Sequence, residues 1–113
     1  MNIDYVKHVN NDENNRVEYL LTNFDYYDGN DIISKLFRSE FGMQAKEKID
    51  GIFYNIIKLY SDDIEYSLVW HEDVGNYIYS NKQGEKELKE LEERLSLVIN
   101  KLNNLMKDNI ESQ

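Results

Sequence analysis

The sequence predicts an α+β fold built as one domain of 113 residues. Three observations carry that expectation. Apolar residues recur at helical spacing before about residue 42 and again after 84, the period shifts towards two in between, and a hydrophobic content of 41% with 12% aromatic residues is enough for one core. The expected architecture is two N-terminal helices, a three- to four-stranded antiparallel meander and a long C-terminal helix packed on the sheet.

Residues 1–11 are polar with scattered Ile3, Val6 and Val9, which fits an arm or an edge strand. Val17, Leu20, Leu21 and Phe24 then fall at i, i+3, i+4 and i+7, so a first helix is expected over 13–24. Asp25-Tyr26-Tyr27-Asp28-Gly29-Asn30 has turn residues, and Asn30 or Asp31 is suited to cap a second helix over 31–41 that Gly42 ends.

After Met43, Asp50-Gly51 separates 45–49 from 52–60 and predicts a hairpin with both turn residues at φ > 0. The second run is almost continuously apolar, as in a strand flanked on both edges. Ser61-Asp62 is a turn. Ile64, Tyr66, Leu68 and Trp70 alternate with polar or smaller residues over 63–71, and Tyr77-Ile78-Tyr79 is a short fourth strand.

From Gly84 onward Leu88, Leu95 and Leu102 recur a heptad apart with Leu91, Val98 and Leu105 between them. Ile99 and Met106 broaden the stripe, which favours packing on the chain's own sheet and a monomer over a homodimer. The segment 108–113 has little to bury and is expected to fray.

Thirteen basic against 22 acidic side chains give a formal charge of -9. A field of that sign repels phosphate backbones and anionic lipid, and attracts basic protein surfaces. Without cysteine there is no disulfide, thiolate nucleophile or Cys-type zinc site. The chain also lacks a signal-like start and any membrane-length apolar run, so a cytoplasmic protein is expected, and its Asn, Ile, Lys and Tyr usage fits a low-GC bacterium or its phages.

No catalytic, metal or cofactor site is expected. His71-Glu72-Asp73 is the one cluster of ligand-type residues, and it lacks the i, i+4 histidine pair of a zincin helix. A calcium loop with Gly29 at its sixth position would put Phe24 first, Tyr26 third and Lys35 twelfth, where oxygen ligands are required. The serines lie in no nucleophile elbow, and no glycine-rich phosphate loop is present.

What remains is a binding surface of acids and tyrosines on loops and strand ends: Asp25, Tyr26, Tyr27, Asp28, Asp31, Asp62, Asp63, Glu65, Glu72, Asp73 and Tyr77. Tyrosine buries much area with few rotors, and carboxylates beside it pair Arg or Lys. In size, acidity, lack of cysteine and its tyrosines with a short meander, the chain resembles the small immunity proteins that neutralise bacterial toxins. That resemblance implies a non-enzymatic, protein-binding inhibitor whose partner is basic, such as a toxin or nuclease, with no direct nucleic acid or membrane ligand. Two alternatives are a phage or mobile-element DNA mimic that blocks a host nucleic-acid enzyme, and a small dimeric subunit joined through the C-terminal helix.

Overall fold

The computed structural model describes residues 2–111, with side chains as far as Lys107. Six strands form one antiparallel sheet: β1 (Asp4–Asn10), β2 (Arg16–Thr22), β3 (Gln44–Asp50), β4 (Tyr54–Ser61), β5 (Ile64–His71) and β6 (Gly75–Ser80). Helix α1 (Gly29–Phe41) lies between β2 and β3, and α2 (Glu85–Glu111) follows β6. The strand order is β1-β2-β6-β5-β4-β3, so the meander β3 to β6 is extended by an N-terminal hairpin that docks on β6. The segment expected to fray lies outside the described side chains, and residues 112 and 113 lie outside the described residues altogether.

Two expectations are therefore corrected: there is one N-terminal helix, not two, and the sheet has six strands rather than three or four. Residues 16–22 form a strand because pairing with β1 overrides their helical spacing; Val9 faces Val17 and Val6 faces Leu20 across a seven-pair register. The turn is made by Asn11–Glu13 and by Asn14 and Asn15, both at positive φ (56° and 59°). Asparagine tolerates the left-handed region because its short amide bonds locally. On β2, Val17, Tyr19 and Leu21 point to one face while Glu18 and Leu20 point to the other.

Smaller corrections concern turns and caps. The β3–β4 connection is Gly51–Phe53, closed by the Gly51 N–H on the Tyr54 carbonyl at 2.8 Å, and neither Asp50 nor Gly51 has positive φ. Asp28 takes the N-cap position of α1 without a side-chain capping bond, so Asn30 and Asp31 lie inside the first turn. Gly42 ends it in the left-handed region at φ 65°, its N–H bonded to the Arg38 carbonyl.

Both helices cover the same face of the sheet. Ile33 and Phe37 of α1 and Leu91, Leu95, Val98, Ile99 and Leu102 of α2 share one core with Tyr19, Leu21, Ile57, Leu59, Tyr66, Leu68 and Ile78. Leu105, expected in that stripe, is instead exposed. No helix among the described residues is long and apolar enough to cross a membrane.

Tyr19 is fully buried and its hydroxyl donates to Glu92 Oε2 at 2.9 Å. Burial, and then that bond to Glu92, raise its pKa well above the ordinary 10.0. Burial raises Tyr66 as well. Both groups fold as neutral phenols, so the unfolded chain loses these protons first as pH rises. Their contribution is intact below the ordinary tyrosine value and is lost as pH climbs above about 10. Urea midpoints measured from neutral to strongly alkaline pH are expected to fall above that value, and Tyr19→Phe is expected to make the fall shallower.

Candidate functional site

Three connections meet at one end of the sheet: the β2–α1 loop (23–28), the β3–β4 loop (51–53) and the β5–β6 turn (72–74). Their junction is fixed from below by one cross-strand row on the helix-covered face, in which Asn55 faces Trp70 and Trp70 faces Asn76. Asn76 Nδ2 donates to the carbonyls of Phe24 (3.0 Å) and Tyr26 (2.9 Å). Trp70 Nε1 donates to that of Asp25 (3.1 Å), and Asn55 Nδ2 to that of Tyr27 (3.5 Å). Four consecutive carbonyls of the loop are thus turned onto donors of three adjacent strands.

Asn30, from the first turn of α1, donates to Asn55 Oδ1 and to the Leu68 carbonyl (3.3 Å), which orients the Asn55 amide. Asn30, Asn55 and Asn76 are all buried. Such amides are costly to bury unless bonded; here the Nδ2 groups of Asn55 and Asn76 are satisfied by loop carbonyls and that of Asn30 by Asn55 and Leu68, while the buried Asn76 Oδ1 has no partner among the described residues. Gly29 makes the approach possible, because a Cβ there would lie 2.5 Å from Asn76 Nδ2 and 2.7 Å from the Phe24 ring.

With its carbonyls held inward, the loop presents its side chains to solvent. Tyr27 is 63% exposed although its ring meets Trp70 edge-on at 4.8 Å, and Tyr26 is 51% exposed against Phe24 at 5.4 Å. Beside them stand Ile52 (89% exposed), Phe53 (59%), Tyr54 and Val74. The Glu72 N–H donates to the Phe53 carbonyl at 2.8 Å, which joins two of the three connections. His71 Nδ1 accepts the Asp73 N–H at 3.1 Å, so the ring braces the turn.

Asp25, Asp28, Asp50, Glu72 and Asp73 surround this apolar group, and the segments 23–28, 50–54 and 70–75 contain no Lys or Arg. Among the described residues no ion pair reaches any of these five carboxylates. The end of the sheet is therefore a rigid apolar tip in a field of one sign. Among the described residues, no three His, Asp or Glu side chains are placed to hold a metal ion.

Of the residues singled out in the sequence, Asp25, Tyr26, Tyr27, Asp28, Glu72 and Asp73 come together here. Asp31 faces β3, in an ion pair with Lys48 at 3.6 Å. Asp62 and Asp63 lie at the far end of the eight-residue strands β4 and β5, roughly 25 Å away. Asp63 pairs with Lys82, whose ammonium holds that carboxyl below its usual range. Glu65 pairs with Lys46 (3.4 Å) and Lys58 (3.7 Å), and Tyr77 sits in the middle of the face opposite the helices, where burial raises its pKa. Ile52, Phe53, Tyr54, Trp70 and Val74 were not among the expected site residues. For the first two the signal is Ile52-Phe53 directly after Asp50-Gly51, two large apolar residues where a hairpin loop needs none.

No family model, curated protein or solved structure matches this chain. The fold and site define it as an α+β protein with helices on one face of an antiparallel sheet and an acidic, aromatic tip.

Asn76→Ala removes two of the four anchors, takes the side-chain donor from the Phe24 carbonyl and leaves the Tyr26 carbonyl only the Gly29 N–H. It is expected to cost about 1–3 kcal/mol in urea unfolding. Amide exchange of Gly29, whose N–H donates to the Tyr26 carbonyl at 2.9 Å, is expected to accelerate more than that of the central strands.

Proposed function

We propose that this chain is a protein-binding inhibitor that covers a basic surface of its partner with the tip, in the manner of an immunity protein neutralising a toxin. One observation carries the reading: exposed aromatic side chains are held on a fixed backbone and ringed by carboxylates that none of the ion pairs among the described residues reaches. Such a tip suits a cleft with an apolar floor and Arg or Lys walls. Tyr26, Tyr27, Ile52 and Phe53 would fill the floor, and Asp25, Asp28, Glu72 and Asp73 would pair the walls.

A nuclease is the fitting partner class, because its cleft is basic to hold phosphate and carboxylates can stand where phosphates would lie. Inhibition then needs no chemistry from the inhibitor beyond occupancy. Because four loop carbonyls are anchored before binding, little ordering entropy is left to lose on association.

The test is capture of the partner from its own cell extract on the immobilised full chain, beside a Tyr27→Ala/Phe53→Ala column and an Asp25→Asn/Asp28→Asn column. A basic protein retained by the unaltered chain, released by added salt and lost from both variant columns is the expected result. Each aromatic truncation is expected to cost about 2 kcal/mol or more, roughly a thirtyfold loss of affinity. Equal retention on all three columns, or direct binding of the isolated chain to DNA, contradicts the reading.

A further inference from the structure

The face of the sheet away from the helices carries a continuous apolar row. Ile49 faces Ile56, Ile56 faces Val69, Val69 faces Tyr77, Tyr77 faces Leu20 and Leu20 faces Val6, so the row crosses all six strands in unbroken register. An antiparallel sheet with one solvated face ordinarily alternates apolar inward and polar outward. Here the alternation fails at the same level in every strand. Val6 is 55% exposed, and Ile49, Ile56, Tyr77 and Leu20 are partly exposed, with neither helix over them.

We propose that this face is covered by a second copy of the chain, sheet against sheet. Charge favours that occupant over a basic partner. Unlike the tip, the face carries both signs already matched: Arg16 bonds Glu18 at 2.6 Å and lies over the Tyr79 ring at 3.7 Å, while Lys58 and Lys46 hold Glu65. Such a surface neither attracts a strongly charged protein nor repels its own copy locally.

Area and shape agree. Six strands span about 24 Å and seven or eight residues run about 25 Å along them, so one face offers roughly 600 Å² and a symmetric pair buries about 1,200 Å², the lower bound for a stable interface. A twofold axis along the strands, between β5 and β6, sets the buried Val69 against the partner's Tyr77, Ile56 against the partner's Leu20 and Ile49 against the partner's Val6. Tyr77 then meets the smaller Val69 and Ile49 the smaller Val6, while Ile56 meets Leu20 of equal size. The helix α2 is not the dimer seam, because Leu91, Leu95, Val98 and Leu102 are spent in the core.

Light scattering and sedimentation of the full chain, from low to high micromolar concentration, are expected to give twice the chain mass. Leu20→Lys and Ile56→Lys, at partly exposed positions, are expected to raise the dissociation constant at least about a hundredfold by burying an unpaired charge. Leu105→Lys on α2 and the tip variant Tyr27→Ala/Phe53→Ala are expected to keep the dimer, so failure here is distinguishable from failure of the tip reading. If the row variants do not fold, a mixed sample of isotope-labelled and unlabelled unaltered chain replaces them, with magnetisation transfer between Val69 of one copy and the Tyr77 ring of the other as the expected signal. Monomer mass throughout, a dimer that survives both row variants, or a dimer lacking that transfer overturns the proposal.

Discussion

Six strands offer two faces, and the two helices of this chain cover only one of them. Core side chains from α1 and α2 meet Tyr19, Leu21, Ile57, Leu59, Tyr66, Leu68 and Ile78, all on the same side of the sheet. Once that side is filled, a strand residue of opposite parity has no intramolecular cover beyond its cross-strand neighbours. The chain nevertheless places Ile49, Ile56, Val69, Tyr77, Leu20 and Val6 there, in one row. Only Val69, at the centre of the row, is buried by its neighbours within the chain; the remaining apolar surface of the row would gain its full contribution only if a second surface excluded water from it.

The same register that builds the row also builds the floor of the tip. One level along the strands and on the other face, Asn55, Trp70 and Asn76 stand side by side, and each directs a donor at the β2–α1 loop. Donor spacing set by the sheet therefore matches acceptor spacing along the loop, so the loop takes the conformation that satisfies its carbonyls. This is why Tyr26 and Tyr27 project outward without relying on contacts of their own beyond Phe24 and Trp70. The loop is held from behind, and its forward surface is left exposed.

How far the sequence discloses this arrangement depends on whether a feature is local. The alternation in 64–70 and the broad apolar stripe after Gly84 are local patterns, and each corresponds to an element in place, while the turn expected at Ser61-Asp62 falls one residue later, at Asp62-Asp63. Residues 16–22 misled because Leu20 belongs to the outer row: with Leu20 added to Val17, Leu21 and Phe24, the strand imitates a helix. The counter-signal is the run Asn10-Asn11-Asp12-Glu13-Asn14-Asn15, a turn composition between two strand-competent segments. The tip was half legible for a similar reason. Asp25 to Asp28 and Glu72-Asp73 stand out in the sequence, but their meeting with Ile52 and Phe53, and the anchoring by Asn55 and Asn76, depend on strand pairings between distant segments.

Charge separates the two exposed surfaces more sharply than shape does. The cations Lys7, Arg16, Lys46, Lys48, Lys58, Lys82, Arg94 and Lys101 all sit in ion pairs with carboxylates other than those of the tip. The carboxylates of the tip keep their full field, while the open face is close to neutral. Salt screens both, with opposite consequences. Attraction of the proposed basic partner to the tip would weaken, whereas two copies of a chain with a formal charge of -9 would repel less if they brought their open faces together as proposed. An apolar row is the contact suited to that setting, since hydrophobic association needs no attraction at long range and survives the screening that removes the repulsion.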